Sequence, residues 1–201
     1  MCDGIYSWFD EGRPYSDMRY FLARFIISML PATRCFRLKR TLLRAIGISV
    51  GAGTSICGGV KLYGGGRVTI GSDCWIGLGV KFYSSIGADI TIGDRCDIAP
   101  EVAFHCGTHS IGPVARRAGK PISAPIFVGT GTWIGIGSTI LGGAQLGKAS
   151  IVGANALVLG KSYPVSALLV GVPAKVFRLL TAGEDGTNTT IENNKDYVGG
   201  F

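Results

Sequence analysis

Acidic residues are missing from Met18 to Arg44, a stretch that carries seven basic ones: Arg19, Arg24, Arg34, Arg37, Lys39, Arg40 and Arg44. The net charge of +7 is therefore mainly local. No recognised nucleic-acid-binding motif accompanies it, which argues against such a partner. Histidine is scarce too, with only His105 and His109. The six cysteines (2, 35, 57, 74, 96 and 106) show no CxxC-type spacing, so neither zinc nor a disulfide scaffold is expected. No apolar run is long enough to span a bilayer, since Tyr20 to Leu30 is interrupted by Arg24, and the mixed-charge start MCDGIYSWFDEGRP does not read as a signal peptide. These absences together lead to the expectation of a reduced, cytoplasmic protein.

What is abundant is glycine, 32 residues of 201, recurring beside aliphatic side chains rather than in collagen-like or low-complexity order. Aliphatic or aromatic residues recur every six positions, as Val50, Ile56, Leu62; Ile70, Ile76, Phe82; Ile92, Ile98, Phe104; Val128, Ile134, Ile140; and Leu146, Val152, Val158. A second slot four residues after twelve of these is small: Thr54, Val60, Cys74, Val80, Cys96, Val102, Thr108, Thr132, Ser138, Ala144, Ser150 and Ala156. Neither a heptad nor a 3.6-residue period reproduces both slots, so helix is rejected between Val50 and Leu159. Three hexads per turn predict an all-β fold, a triangular parallel β-helix with one aliphatic ladder per face. Cys74 and Cys96 share the small inward slot of successive coils and are expected to pack rather than react.

The chain divides into an N-terminal basic amphipathic helical segment (1–49), the β-helix (50–180) and a polar tail (181–201), expected to be disordered. In the first segment the charges alternate with Phe21, Leu22, Phe25, Ile26, Leu38, Leu42 and Leu43, with a break near Pro31. Two readings stand: peripheral contact with an anionic inner membrane surface, or a helix capping the coil with its charges in water. The hexad register slips by two residues before Ile70, by four before Ile92 and by eighteen before Val128. The last slip predicts an extended basic loop at 110–127, and long loops in compact repeats are commonly functional.

The hexads and the stretch GTHSIGPVARRAGKPISAPIFVGTGTWIGIGSTILGGAQLG, together with GVPAKVFR, resemble the hexapeptide-repeat acetyltransferases, in particular the maltose, galactoside and nodulation-factor group and polysaccharide O-acetyltransferases. The resemblance covers roughly residues 35 to 180. It implies a left-handed coil, a homotrimer with active sites between subunits, acetyl-CoA as donor and His109 as general base. Independently of the family, His109 occupies an outward slot where the chain leaves the coil. An imidazole is suited to take the proton of a sugar hydroxyl at neutral pH, and direct attack on the thioester then calls for neither a metal nor an acyl-enzyme.

Other roles are carried by the same resemblance. Gly135, Ile136, Gly153, Ala154, Lys175 and Arg178 match the CoA end, where exposed backbone would pair with pantetheine amides and the two cations with phosphates. Charge merely solvated at the chain end is the plainer reading of Lys175 and Arg178. Trp133 flanks the acetyl or acceptor site, or belongs to a subunit interface; Trp75 occupies the same slot two coils earlier. His105 orients the acceptor or simply lines a strand end. Ser84 and Ser85 stand where galactoside-type relatives place an acceptor-binding Asn, so a different acceptor is expected. Lys161 matches the family's Thr-Lys pair only approximately.

The leading expectation is an O-acetyltransferase acting on a surface polysaccharide or its lipid-linked precursor. A soluble mono- or oligosaccharide acceptor, or an inactive β-helical trimer, are the alternatives. A γ-type carbonic anhydrase would need three zinc-binding histidines, and a sugar-nucleotide transferase would need more than 49 residues before the first coil.

Overall fold

The computed structural model describes residues 18–181. The start of the chain with Cys2, and all but the first residue of the expected tail 181–201, lie outside the described residues. Between them the five triplets face inward, none more than 4% exposed. On the first face Val50, Ile70, Ile92, Val128 and Leu146 lie side by side in one parallel sheet. On the second the ladder is Ile56, Ile76, Ile98, Ile134, Val152 and Leu169. On the third it is Leu62, Phe82, Phe104, Ile140 and Val158. Phe82 and Phe104 stack with ring centroids 5.1 Å apart. Burying each such side chain stabilises the coil by about 2 kcal/mol. The architecture is the left-handed parallel β-helix expected of the sequence.

The small slot has a polar purpose that its size alone did not reveal. Along the first–second corner, Thr54 Oγ1 donates to the Gly71 carbonyl (2.6 Å), Cys74 Sγ to that of Gly93 (3.1 Å) and Cys96 Sγ to that of Gly129 (3.2 Å). Thr132 Oγ1 and Ser150 Oγ continue the column to Gly147 and Pro164, both at 3.2 Å. The backbone turns tightly at this corner, with Gly53, Asp73, Arg95, Gly131, Ala149 and Ser166 in the left-handed region. The inward hydroxyls and thiols satisfy buried carbonyls that the turns leave over.

Beyond the fifth triplet Tyr163 and Leu169 fill inward places of a sixth, partial turn, and Lys175–Leu179 folds back antiparallel on Ala167–Val170. Three features differ from expectation. Thr108 is exposed rather than inward, because the chain leaves the coil at Gly107. The excursion expected at 110–127 is an antiparallel hairpin, Gly107–Ile111 with Ala118–Ser123, and Ile126–Val128 is already back in the first face.

The third concerns the N-terminal charges, three of which are not simply solvated. In α2 (Phe36–Ala45) Lys39 is fully buried, donating to the carbonyls of Pro31 and Ala32 at 2.8 Å each. Arg40 donates to Thr54 O (2.5 Å) and Arg44 to Val50 O (2.7 Å), so α2 caps the first coil. Phe36 meets the edge of Trp75 at 5.8 Å. In α1 (Met18–Met29) Ala23 is buried, while Met18, Phe21, Leu22, Phe25 and Met29 are exposed.

Candidate active site

All three register slips fall at the corner between the third and first faces, one above another. Ahead of each stands an aromatic ring, and these form a ladder: Tyr63 on Tyr83 at 4.9 Å and Tyr83 on His105 at 4.4 Å, their planes nearly parallel. The parallel register Tyr63, Tyr83, His105 enforces the stack. Burial, and then the charge of Lys81, push the His105 imidazole below its ordinary range, so the ring is held neutral and oriented. Next to it Cys106 is buried, and burial together with Asp89 pushes its thiol up to about 12. A thiol held protonated is no nucleophile.

The hairpin rises from this corner. The Ala124 N–H donates to Cys106 O (3.0 Å), which makes Gly107 and Ser123 a non-hydrogen-bonded pair. By alternation His109 and Pro121 are one as well, so Pro121 loses nothing by lacking an N–H, and the two side chains stand close. His109 is exposed. Ser85 Oγ lies at the hairpin root, 3.2 Å from where a Cβ on Gly107 would be. Ser84, expected to bind the acceptor, is turned away: it is 4% exposed and donates to Gly66 O (2.9 Å) and Tyr63 O (3.2 Å).

The residues matched to the CoA end gather at a different corner, between the second and third faces. Gly135 lies directly under Ala154, whose nitrogen would be 2.6 Å from a Cβ there, and Gly153 lies under Val170, which pairs with Lys175. Here one expectation is corrected. The N–H groups of Gly135 and Gly153 are spent within the coil, on Val152 O and Leu169 O at 2.8 Å each. Those glycines give the stack room, and the outward surface is that of Ile136, 49% exposed, and Ala154. Arg178 pairs with Leu168, further along the same edge. Lys161 lies over the Tyr163 ring at 5.2 Å.

Trp133 stands on the second face between Asp97 and Ile151. That face is across the prism from the hairpin corner, so one chain does not bring Trp133 and His109 into a common cleft. The surroundings of the CoA-end residues are electrostatically one-sided: no acid follows Glu101 before Thr181, whereas Arg116, Arg117, Lys120, Lys148, Lys161, Lys175 and Arg178 do. Among the described residues no group of three or more His, Cys, Asp or Glu is arranged to hold a metal. The aromatic ladder and its neighbours Lys61 and Lys81 escaped the sequence reading, although the repeated KLY and KFY in the same hexad were a visible signal.

No protein-family model matches the chain. It is 31% identical over 128 residues to the galactoside O-acetyltransferase of Escherichia coli, covering 55% of this chain and 63% of that enzyme. The chain spans between about half and under two thirds of the length of the curated relatives it matches. Among solved structures it is similar to a hexapeptide-repeat acetyltransferase of Vibrio cholerae complexed with acetyl-CoA, at 26% identity and a TM-score of 0.68, covering 81% of this chain and 86% of that one. A galactoside acetyltransferase in complex with CoA shares the fold at 24% identity and a TM-score of 0.73, covering 85% and 84%.

Proposed function

We propose, from the chain's likeness to hexapeptide-repeat acetyltransferases, that it transfers acetyl from acetyl-CoA to a saccharide hydroxyl, with His109 as the general base. The observation that carries this reading is the display of His109, exposed, on a hairpin that rises from the corner holding His105 and Ser85. A neutral imidazole nitrogen takes the hydroxyl proton as the oxygen adds to the thioester carbon. The C–S bond then breaks, and the proton passes to the departing thiolate, which restores the imidazole. His105, held neutral by burial and Lys81 and oriented by the ladder, orients the acceptor.

Ile136, Ala154, Lys175 and Arg178 take the CoA end, where the absence of acids among the described residues suits phosphates. Because Trp133 and His109 lie across the prism from each other, the reading places the complete site between protomers of a homotrimer, the neighbour supplying Trp133. The acceptor is assigned to a lipid-linked precursor of a surface polysaccharide. The exposed stripe of α1 and the lack of any acid between Asp17 and Asp73 suit an anionic membrane surface. Likeness to the E. coli galactoside enzyme supports a second acceptor class, a soluble oligosaccharide.

The test is thiol release from acetyl-CoA against soluble sugars and lipid-linked glycans, comparing wild type with a His109→Ala variant of unchanged assembly. Removing the base is expected to lower kcat roughly 10²–10⁴-fold. Full activity in the variant would overturn the base assignment, and a wild type that binds no acetyl-CoA would leave a β-helical scaffold.

A further inference from the structure

We infer that the groove between α1 and the first three coils is a subsite for a lipid-bound phosphate, the end of the acceptor remote from the reacting hydroxyl. The inference rests on the lipid-linked acceptor proposed above. The groove has a volume of about 520 Å³ and two chemically distinct sides. Ile27, Leu30 and Leu78 make an apolar wall, and Lys61 and Lys81 make a cationic lip. Glu101 shares the lip and pairs with Lys81 at 2.5 Å, so the lip keeps one net positive charge and holds Lys81 in place. An apolar chain ending in a phosphate fits both sides at once; a free sugar fits neither. The lysines meet the phosphate as point charges and the wall receives the first segment of the chain.

Position supports the same occupant. The groove runs along the second–third corner at coils one to three, past Gly58, Gly59 and Gly79. Ile136 and Ala154 occupy that corner in coils four and five, so the donor end begins about one coil rise of ~4.8 Å beyond the groove. The lysine pair also lies on the third face two residues from Tyr63 and Tyr83, hence about 7 Å from the ladder that ends in His105. A sugar attached to the phosphate is thereby directed along that face toward the hairpin corner. The exposed apolar stripe of α1 lies on the face of the helix turned away from Ile27 and Leu30, where it would seat α1 on a membrane with the groove beside that surface.

The experiment is calorimetric titration of the full chain with farnesyl monophosphate, farnesol and inorganic phosphate, repeated with Lys61→Gln and Glu101→Gln, with acetyl-CoA binding measured in parallel. The monophosphate is expected to bind more tightly than either fragment. Lys61→Gln should weaken it about tenfold while leaving farnesol unaffected, and Glu101→Gln should tighten it. Equal binding of farnesol, or indifference to Lys61→Gln, would overturn the phosphate contact. Inorganic phosphate binding as well as the ester would make this a free-anion site and overturn the lipid. Loss of acetyl-CoA binding in wild type with monophosphate binding intact would instead remove the acetyltransferase reading and leave the subsite.

Discussion

Lys39 holds its ammonium between the carbonyls of Pro31 and Ala32, 2.8 Å from each, with the Phe36 ring 5.6 Å away. Among the described residues no carboxylate balances it; the turn between the helices supplies two carbonyl dipoles instead, and burial lowers its proton affinity. Lys39→Met preserves volume but leaves both carbonyls unmet, so a loss of about 2 kcal/mol in unfolding free energy is expected, read by urea denaturation. An unchanged midpoint would mean that water replaces the ammonium. His105 carries a linkage of known sign. Its folded-state proton affinity lies below the ordinary value of 6.5, because the half-buried ring resists charging. The unfolded chain therefore binds more protons as the pH falls through 6.5, and stability drops there, whereas above 6.5 the penalty is absent. His105→Phe keeps the stack on Tyr83 and removes the proton, so its unfolding midpoint should be flatter with pH than that of wild type between about pH 5 and pH 8. Parallel curves would place the acid sensitivity elsewhere.

The hairpin is the element on which the site depends, and Pro121 is the residue that restricts it. Opposite His109 in a non-hydrogen-bonded pair, the proline ring fixes local backbone without costing a ladder bond. Pro121→Gly is expected to leave the melting of the coil unchanged, since the hairpin lies outside the inward ladders, and to lower kcat more than it raises KM for acetyl-CoA. A matched loss of coil stability would show that the hairpin is part of the core instead. The coil itself was legible because its period repeats in two slots: Val128 and Leu146 had to be inward if Val50 was. The hairpin boundary was not, because Thr108 obeys the small-slot rule by residue type, while pairing of Gly107 with Ser123 decides where the chain leaves. Ser84 misled for a related reason. Its match to the position of an acceptor-binding Asn in relatives suggested a ligand, but the turn at Gly66 needed its hydroxyl. His105 and His109 were readable as candidates, whereas the stack that orients His105 emerges only when coils lie in register.

Across the whole molecule charge is divided along the coil axis. The described carboxylates, Asp73, Asp89, Asp94, Asp97 and Glu101, all belong to the second and third coils, and everything from Val102 to Thr181 is free of acids. Successive coils rise by about 4.8 Å, so the terminal turns bearing Lys175 and Arg178 are more than one Debye length, about 10 Å at 0.1 M salt, from that acidic band. Among the described residues no carboxylate lies close enough to neutralise the cations there. If the CoA end lies at this edge, binding should weaken steadily with ionic strength, and the double variant Lys175→Gln, Arg178→Gln should raise Kd about tenfold at low salt while sparing kcat at saturation. The two variant charges should also account for part of the salt slope, so the wild-type and variant curves should converge as salt rises. Curves that stay parallel from low to high salt would mean that neither residue meets a phosphate, and would move the nucleotide end toward Lys148 and Lys161.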